Sequence, residues 1–405
     1  MTLAYSTEQS ASKSPFLGLA PFLRMSVAGT DLRPLSQELL ASATEDSGNA
    51  NLWMNLSTVM LSMGLRDAGL AIQAQALEMK RVYQIASVEP EKLHVLMVMV
   101  PGDLAANTPL DCLLENTDVA LELYYLTPDG ENMPPIPEHD LLVVAIGESD
   151  ENRGVLLGLE EALAAWPRPV INAPKNIPNT GRDRASALLH DAPGVFMPPT
   201  LRATRAQLLT VATGGATLPE LFATELPIIV RPLGSQAGRD LAKITDAGEL
   251  AAYLEKVAAP ELYISRFIDY RSADGFFRKM RVALIDGVPF ACHMGVSSSW
   301  MIHYVNAGMY EEAWKREDEH RWMEGFGAFA DKHATALAAI ASRTGLDYVC
   351  IDCAETQDGQ LMIFEVDHVM VVHAMDPENQ FPYKQAHMKK VKDAFRDLLV
   401  SRSGL

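Results

Sequence analysis

The chain has 405 residues, 48% of them hydrophobic, and a formal net charge of -18. This composition is typical of a globular protein with several structural units, and the negative charge argues against non-specific binding to nucleic acid or to anionic membranes. No run approaches the ~20 apolar residues of a transmembrane helix, and residues 1–30 lack a signal-peptide pattern. Among the four cysteines only Cys350 and Cys353 have C-x-x-C spacing, and they lie on a predicted strand where their sulfurs should point to opposite faces. We therefore expect a cytoplasmic protein with reduced cysteines.

Residues 1–90 are predicted to be a helical N-terminal region that follows a polar arm over residues 1–15. Residues 35–85 contain no proline and are expected to be helical throughout. The spacing of a tetratricopeptide-like helix–turn–helix is found in Trp53, Leu56, Met60, Gly64, Ala68 and Ala76. The proline that usually closes such a unit is absent at Arg81. A helical extension packed on the main body is therefore the alternative to a tetratricopeptide-like unit.

Residues 91–190 alternate between strand and helix patterns. Apolar strand runs cover residues 93–100, 119–126, 141–146 and 169–172. Such alternation predicts a parallel sheet covered by helices, which usually places ligands at the carboxyl ends of its strands.

Residues 191–260 are predicted to form a small central unit. Its strand at 227–232 carries Arg231 and is followed by a short loop with Gly234, Ser235 and Gly238. Such a loop can bring backbone N–H groups close to an anion. We therefore expect an anion-binding strand and loop here.

Residues 261–405 begin with a strand at 262–268 and a hairpin turning at Asp286-Gly287. Lys279 and Arg281 fall on one face of this hairpin. Two neighbouring cations repel each other unless an anion or an acidic side chain lies between them. A solvated face is the alternative.

The terminal hairpin has two β-rich runs around Asp358-Gly359, a strong turn signal. If these two residues are the turn, Asp352 lies opposite Glu365 at about 5 Å between Cβ atoms, and Asp367 shares their face. Three carboxylates on one side of an apolar hairpin suit Mg²⁺. A solvated acidic face is again the alternative.

The order of these motifs resembles the ATP-grasp superfamily, which includes D-alanine–D-alanine ligase, glutathione synthetase and the peptide-tail glutamate ligases. The resemblance covers roughly residues 91–384. It implies an α/β fold of the α+β ATP-grasp type after an all-α N-terminal region. Its domains would be a pre-ATP-grasp domain at 91–190, a lid at 191–260 and a C-terminal ATP-grasp domain at 261–405.

The resemblance also implies roles for individual residues. The residues implied to bind the nucleotide are Arg184, Arg231, Gly234, Ser235, Gly238, Arg266, Phe267 and Ile268. Arg184 and Arg231 stand where the family usually has lysine. The Mg²⁺ ligands would be Asp352, Glu365 and Asp367, the last in place of asparagine, and Mn²⁺ could substitute for Mg²⁺. Arg281 and Lys279 would be catalytic, although Lys279 stands where the family has an acid.

The implied activity is ATP-dependent amide formation from a carboxylate and an amine through an acylphosphate, on a small molecule or a peptide. The helical N-terminus would dock a peptide or protein substrate, or would mediate homodimerisation. A catalytically inactive nucleotide-binding scaffold is the alternative from another class. Residues 297–307 are either the lining of the acceptor pocket or a structural loop. His368 and His373 are either ligands or core residues.

Overall fold

The computed structural model describes residues 14–88, 90–127, 133–236 and 238–404. The α-helices of these residues are α1 (Ala20–Val27), α2 (Arg33–Glu45), α3 (Ala50–Ser62), α4 (Arg66–Met79), α5 (Leu110–Leu114), α6 (Arg153–Leu163), α7 (Arg182–Leu189), α8 (Arg205–Ala212), α9 (Leu218–Phe222), α10 (Ala247–Lys256), α11 (Ala313–Glu324), α12 (Phe326–Lys332), α13 (Ala334–Thr344) and α14 (Lys384–Ser403). Among them, none is both long and apolar enough to cross a membrane.

The strands of the same residues are β1 (Val82–Ile85), β2 (Leu93–Met99), β3 (Val119–Tyr125), β4 (Leu141–Val144), β5 (Val170–Ile171), β6 (Val195–Phe196), β7 (Thr200–Thr204), β8 (Ile228–Pro232), β9 (Ala242–Ile244), β10 (Glu261–Arg266), β11 (Phe277–Ile285), β12 (Val288–Ser297), β13 (Tyr348–Glu355) and β14 (Leu361–Asp367). They form three sheets.

Helices α3 and α4 form the helix–turn–helix expected in the N-terminal region. Gly64 lies between them with a φ of 76°, a conformation that favours glycine. A Cβ at Gly69 would come within 2.7 Å of Leu61, so this glycine lets the two helices approach closely. The likeness to a tetratricopeptide repeat stays a prediction. Most of the expected polar arm lies outside the described residues.

The expectation of helix up to residue 85 is wrong, because Val82–Ile85 is strand β1. Helix α4 ends at Met79, and Lys80 already has an extended backbone. Tyr83 is fully buried and donates its hydroxyl to the carbonyl of Ala76 at 2.9 Å. Antiparallel pairing of β1 with β3 decides this conformation, and no glycine or proline marks the change in the sequence.

The first sheet has the order β1-β3-β2-β4-β5, and its last four strands are parallel, as the alternating pattern predicted. Its three central strands β2, β3 and β4 are buried along nearly their whole length, which is typical of a sheet covered on both faces. On one face the apolar side chains pack with those of α6, and on the other with those of α14.

The second sheet, β7-β10-β8-β9, is antiparallel and packs with α8 and α10. Strand β10 (Glu261–Arg266) was assigned from sequence to the C-terminal unit. It pairs instead with β7 and β8, so it belongs to the sheet of the small central unit. An isolated strand pattern does not reveal which of two neighbouring sheets its backbone will join.

The third sheet has the order β12-β11-β13-β14-β6 and contains both predicted hairpins. Strand β6 (Val195–Phe196), assigned from sequence to the central unit, pairs in parallel with β14. The chain therefore passes from the third sheet into the second over the few residues between β6 and β7.

The terminal hairpin has the predicted pairing of Asp352 with Glu365. Its turn is one residue longer than predicted, because Thr356 donates its N–H to the carbonyl of Gln360 at 3.0 Å. A bulge at Phe364, between the pairs Cys353–Ile363 and Asp352–Glu365, restores the register. Two departures from the simple hairpin therefore cancel at the position of the carboxylates.

Candidate functional site

A cavity of about 720 Å³ lies between the second and third sheets and reaches helix α1. Its walls include side chains of β8 and β10 on one side and of β11, β13 and β14 on the other. Most of the residues that the ATP-grasp resemblance singled out line this cavity.

The predicted adenine-binding residues Arg266, Phe267 and Ile268 line the cavity. The Phe267 N–H already donates to the carbonyl of Pro227 at 2.9 Å, so this group is not free to read a base edge. The Phe267 ring carries the Lys243 ammonium 3.8 Å from its centroid.

Arg231, near the end of β8, is only 9% exposed and faces the cavity. Among the described residues it forms no salt bridge. It donates instead to the hydroxyl of Ser235 at 3.0 Å and to the Ser235 carbonyl. Burial, together with the charge of Arg182, lowers the pKa of Arg231 to about 10. The guanidinium is therefore a buried, protonated cation without a carboxylate partner.

Only part of the predicted phosphate loop lines the cavity. Gly238 lines it, whereas Gly234 turns the chain at a φ of 70° and is exposed. Ser235 holds Arg231 through its hydroxyl and carbonyl. Ala237 lies outside the described residues.

The cation at the start of α7 is Arg182, and not Arg184 as the resemblance implied. Arg182 lines the cavity and forms an ion pair with Glu365. Arg184 is exposed and is not among the lining residues. Two residues along a helix rotate a side chain by about 200°. The position of Arg182 directly after Gly181, where the helix begins, is the signal that would have found it.

Lys279 and Arg281 lie on either side of Asp352, which confirms the expectation that an acid separates these cations. The Lys279 ammonium is 2.8 Å from Asp352 Oδ2, and Arg281 reaches Oδ1 at 2.8 Å and Oδ2 at 3.1 Å. Asp352 is 2% exposed. Burial would raise the pKa of Asp352, but Arg281 and Lys279 outweigh burial and hold it far below its usual range.

The three carboxylates predicted as metal ligands do not act as one set. Lys279 and Arg281 occupy both oxygens of Asp352, and no group of three histidine, cysteine, aspartate or glutamate side chains in the described ranges could hold a metal ion. Glu365 and Asp367 remain as candidate metal ligands. Burial, and then the charge of Glu365, raise the pKa of Asp367 to about 7.

The donor chemistry of Glu365 and Asp367 fits Mg²⁺, which proteins usually bind through one or two carboxylates together with substrate phosphates. Their mutual repulsion is relieved by a cation between them. Asp352 instead fixes the two cations beside them.

Residues 300–306 also line the cavity, and their role as an acceptor pocket stays a prediction. His373 also lines the cavity. His368 is fully buried and shares a 3.0 Å hydrogen bond with the carbonyl of Ile146, and burial lowers its pKa to about 4. His368 is therefore a core residue, whereas His373 faces the cavity.

No protein-family model matches the chain, and no curated protein matches it. Three of the similar solved structures align with this chain over nearly their whole length. The D-alanine–D-alanine ligase from Bacillus anthracis complexed with ATP is 13% identical, with a TM-score of 0.44 over 77% of this chain and 97% of that one. The D-alanine–D-alanine ligase from Coxiella burnetii is 11% identical, with a TM-score of 0.48 over 77% and 96%. The RimK domain protein ATP-grasp from Sphaerobacter thermophilus is 14% identical, with a TM-score of 0.41 over 76% and 99%.

Proposed function

We propose that this protein is an ATP-dependent carboxylate–amine ligase. The observation that carries the proposal is the buried, unpaired cation of Arg231 at the wall of a large cavity. A buried charge is costly unless it is paired. The planar guanidinium fork suits phosphate oxygens, so a nucleotide phosphate would supply the missing negative charge.

The cavity offers a consistent position for the whole nucleotide. The adenine would lie near Phe267, and the phosphates would extend past Arg231 and Arg182, which all line the cavity. Mg²⁺, held by Glu365 and Asp367, would add positive charge at the phosphate oxygens. Arg182 is already in contact with Glu365, so the cation and the anion of this region hold each other in place.

The reaction follows from this arrangement of charge. A carboxylate oxygen of the donor attacks the γ-phosphorus, the bond from phosphorus to the bridging oxygen breaks, and ADP leaves with the electron pair. An amine nitrogen then attacks the acyl carbon, phosphate leaves with the electrons of the C–O bond, and the nitrogen loses a proton. Lys279 and Arg281 neutralise the donor carboxylate and the oxyanion that forms on it. Asp352 holds both side chains in position.

The test uses two arginines two residues apart on α7. ADP binding in the presence of Mg²⁺ is measured by calorimetry, and ADP release from ATP is measured against a panel of amino acids and dipeptides. Loss of a charge-assisted hydrogen bond weakens binding by about 1.5–3 kcal/mol, or about ten- to a hundredfold. Arg182→Met should show this loss, and the exposed Arg184→Met should bind ADP within about twofold of the wild type.

The proposal is wrong if the wild-type protein binds no nucleotide, or if both variants lose affinity equally. Binding of ADP without amine-dependent ADP release would instead favour the nucleotide-binding scaffold.

A further inference from the structure

The cavity does not end at the catalytic cations but continues to helix α1. Leu23, Ser26 and Val27 of this helix line the same cavity as Arg281. Ala20 of α1 packs with Met375 and Cys112, and Leu23 and Val27 pack against that cluster. The helical N-terminal region therefore forms one wall of the proposed substrate site.

Helix α1 is firmly held in this place. The buried carboxylate of Asp111 accepts hydrogen bonds from the N–H groups of Leu19 at 2.5 Å and Ala20 at 2.9 Å, at the start of the helix. The preceding residues are bound by Asn55, which accepts from the Leu17 N–H and donates to the Pro15 carbonyl. Because these groups are bonded to the body of the protein, α1 is a fixed wall.

The cavity that α1 lines also contains a carboxylate, that of Asp376. This carboxylate shares the ammonium of Lys384 with the buried Glu319, at 3.0 and 3.3 Å. Of these two carboxylates only that of Asp376 lines the cavity. Arg316, on the helix of Glu319, donates to the carbonyls of Met309 and Tyr310 and keeps its positive charge. Arg24 of α1 forms a salt bridge with Glu115, the residue that directly follows α5.

His373 supplies a second and independent feature. Its Nδ1 accepts the N–H of Met375 at 3.2 Å, so a neutral ring carries its proton on Nε2. Burial lowers the pKa of His373, which favours this neutral form. No described residue accepts a hydrogen bond from Nε2, although the ring is largely enclosed and lines the cavity. A ligand oxygen would satisfy this donor.

We infer that this region is the site of the amine substrate, and that it selects an amine with an apolar side chain and an accepting oxygen, as in an apolar α-amino acid or peptide N-terminus. The inference rests on the proposed ligase function. Asp376 has unused lone pairs for the ammonium, because each of its oxygens accepts only one hydrogen bond from the protein. His373 Nε2–H donates to the substrate oxygen, and Leu23 and Val27 contact the apolar side chain. The Asp376 carboxylate disfavours a second carboxylate beside it, so the donor carboxylate binds at Lys279 and Arg281.

The test measures binding of L-leucine, L-methionine and glycine to the protein loaded with Mg²⁺ and ADP, by saturation-transfer NMR and calorimetry. Leucine and methionine should bind, and glycine should bind at least about tenfold more weakly, since glycine has no apolar side chain to bury against Leu23 and Val27. Val27→Phe fills the cavity beside α1 and should abolish leucine binding while ADP affinity stays within about twofold. Ala28→Phe adds the same ring at an exposed neighbour that does not line the cavity, and it should change neither affinity.

A second variant tests the charge. The wild-type protein should prefer L-leucine to 4-methylpentanoate, its analogue without the amine, and Asp376→Asn should lose this preference. A purely structural role of Asp376 would weaken both ligands alike. The inference is overturned if neither leucine nor methionine binds the ADP-loaded protein, if Val27→Phe and Ala28→Phe act equally, or if Asp376→Asn keeps the preference. Failure of the wild type to bind ADP would overturn the ligase function itself.

Discussion

Replacing Asp352 with asparagine should destabilise the protein strongly, because this single carboxylate neutralises two cations. The substitution keeps the shape of the side chain but leaves Lys279 and Arg281 without their anion. Both cations are largely enclosed, with side-chain exposures of 20% and 17%. They would then repel each other on neighbouring positions of one strand face.

The magnitude follows from the burial of the three groups. Breaking a buried ion pair by removing one partner costs about 3–5 kcal/mol. The partial exposure of the cations places this case at the lower end, about 3 kcal/mol, which is about a hundredfold in the folding equilibrium. Replacing Lys279 with methionine in the same chain should recover part of the loss, because one stranded cation is removed and Arg281 keeps its bond to the Val371 carbonyl.

Urea unfolding at neutral pH, without nucleotide or metal, measures this loss. Asp393→Asn is the matched control, because Asp393 pairs with Lys389 on the surface of α14 with side-chain exposures of 53% and 72%. Such exposed pairs contribute at most about 0.5 kcal/mol. If Asp352→Asn costs no more than Asp393→Asn, the three groups do not form the tightly coupled cluster described above.

Three further predictions concern stability and metal binding. Hydrogen bonds from Arg396 hold the pKa of Asp118 well below its usual range. The stabilisation of the protein by this ion pair is therefore present above about pH 4 and is lost as the pH falls further. Asp118→Asn should lower the free energy of urea unfolding by about 1 kcal/mol at neutral pH, and a difference between variant and wild type that persists in strong acid would contradict this cause. Gly69→Ala should destabilise the α3–α4 pair by about 1–3 kcal/mol through overpacking, whereas Gly154→Ala in α6, where a Cβ meets open space, should not destabilise; equal thermal shifts would refute the close approach. Chelation of divalent ions should weaken ADP binding measured by calorimetry, and Glu365→Gln should remove most of that sensitivity; an unchanged sensitivity would exclude Glu365 as a ligand.

The sequence was most informative where local patterns and backbone pairing agree. The apolar strand runs of the parallel sheet and the two Asp-Gly hairpins have strong periodic signals, and the structure contains all of them. The opposition of Asp352 and Glu365 was predicted correctly from a turn of the wrong length, because the bulge at Phe364 offsets the extra turn residue. Local rules therefore gave the right neighbours without the right geometry.

Other features depend on contacts that no local pattern encodes. Strand β1 follows α4 without a breaker residue, and its pairing with β3 overrides helical propensity. The choice between Arg182 and Arg184 depends on which face of α7 meets the cavity. The role of α1 as a wall arises from bonds to Asp111, more than eighty residues later in the chain. Tertiary packing determines each of these positions.

The place of α14 has a consequence for how the chain folds during synthesis. Phe395, Leu398 and Leu399 of this last helix share a core with Leu93 and Val95 of β2, and Arg396 binds Asp118 beside β3. Helices α3, α4 and α5 contribute to the same core, but the part of this apolar face of the first sheet that α14 covers stays open until residues near 400 have left the ribosome. An emerging chain exposes that part of the face for the whole interval in which the second and third sheets are made, and exposed sheet surface of this kind is where nascent chains aggregate or recruit chaperones. We expect ribosome-bound chains that stop before α14 to be held by such factors, with release coupled to the docking of this helix.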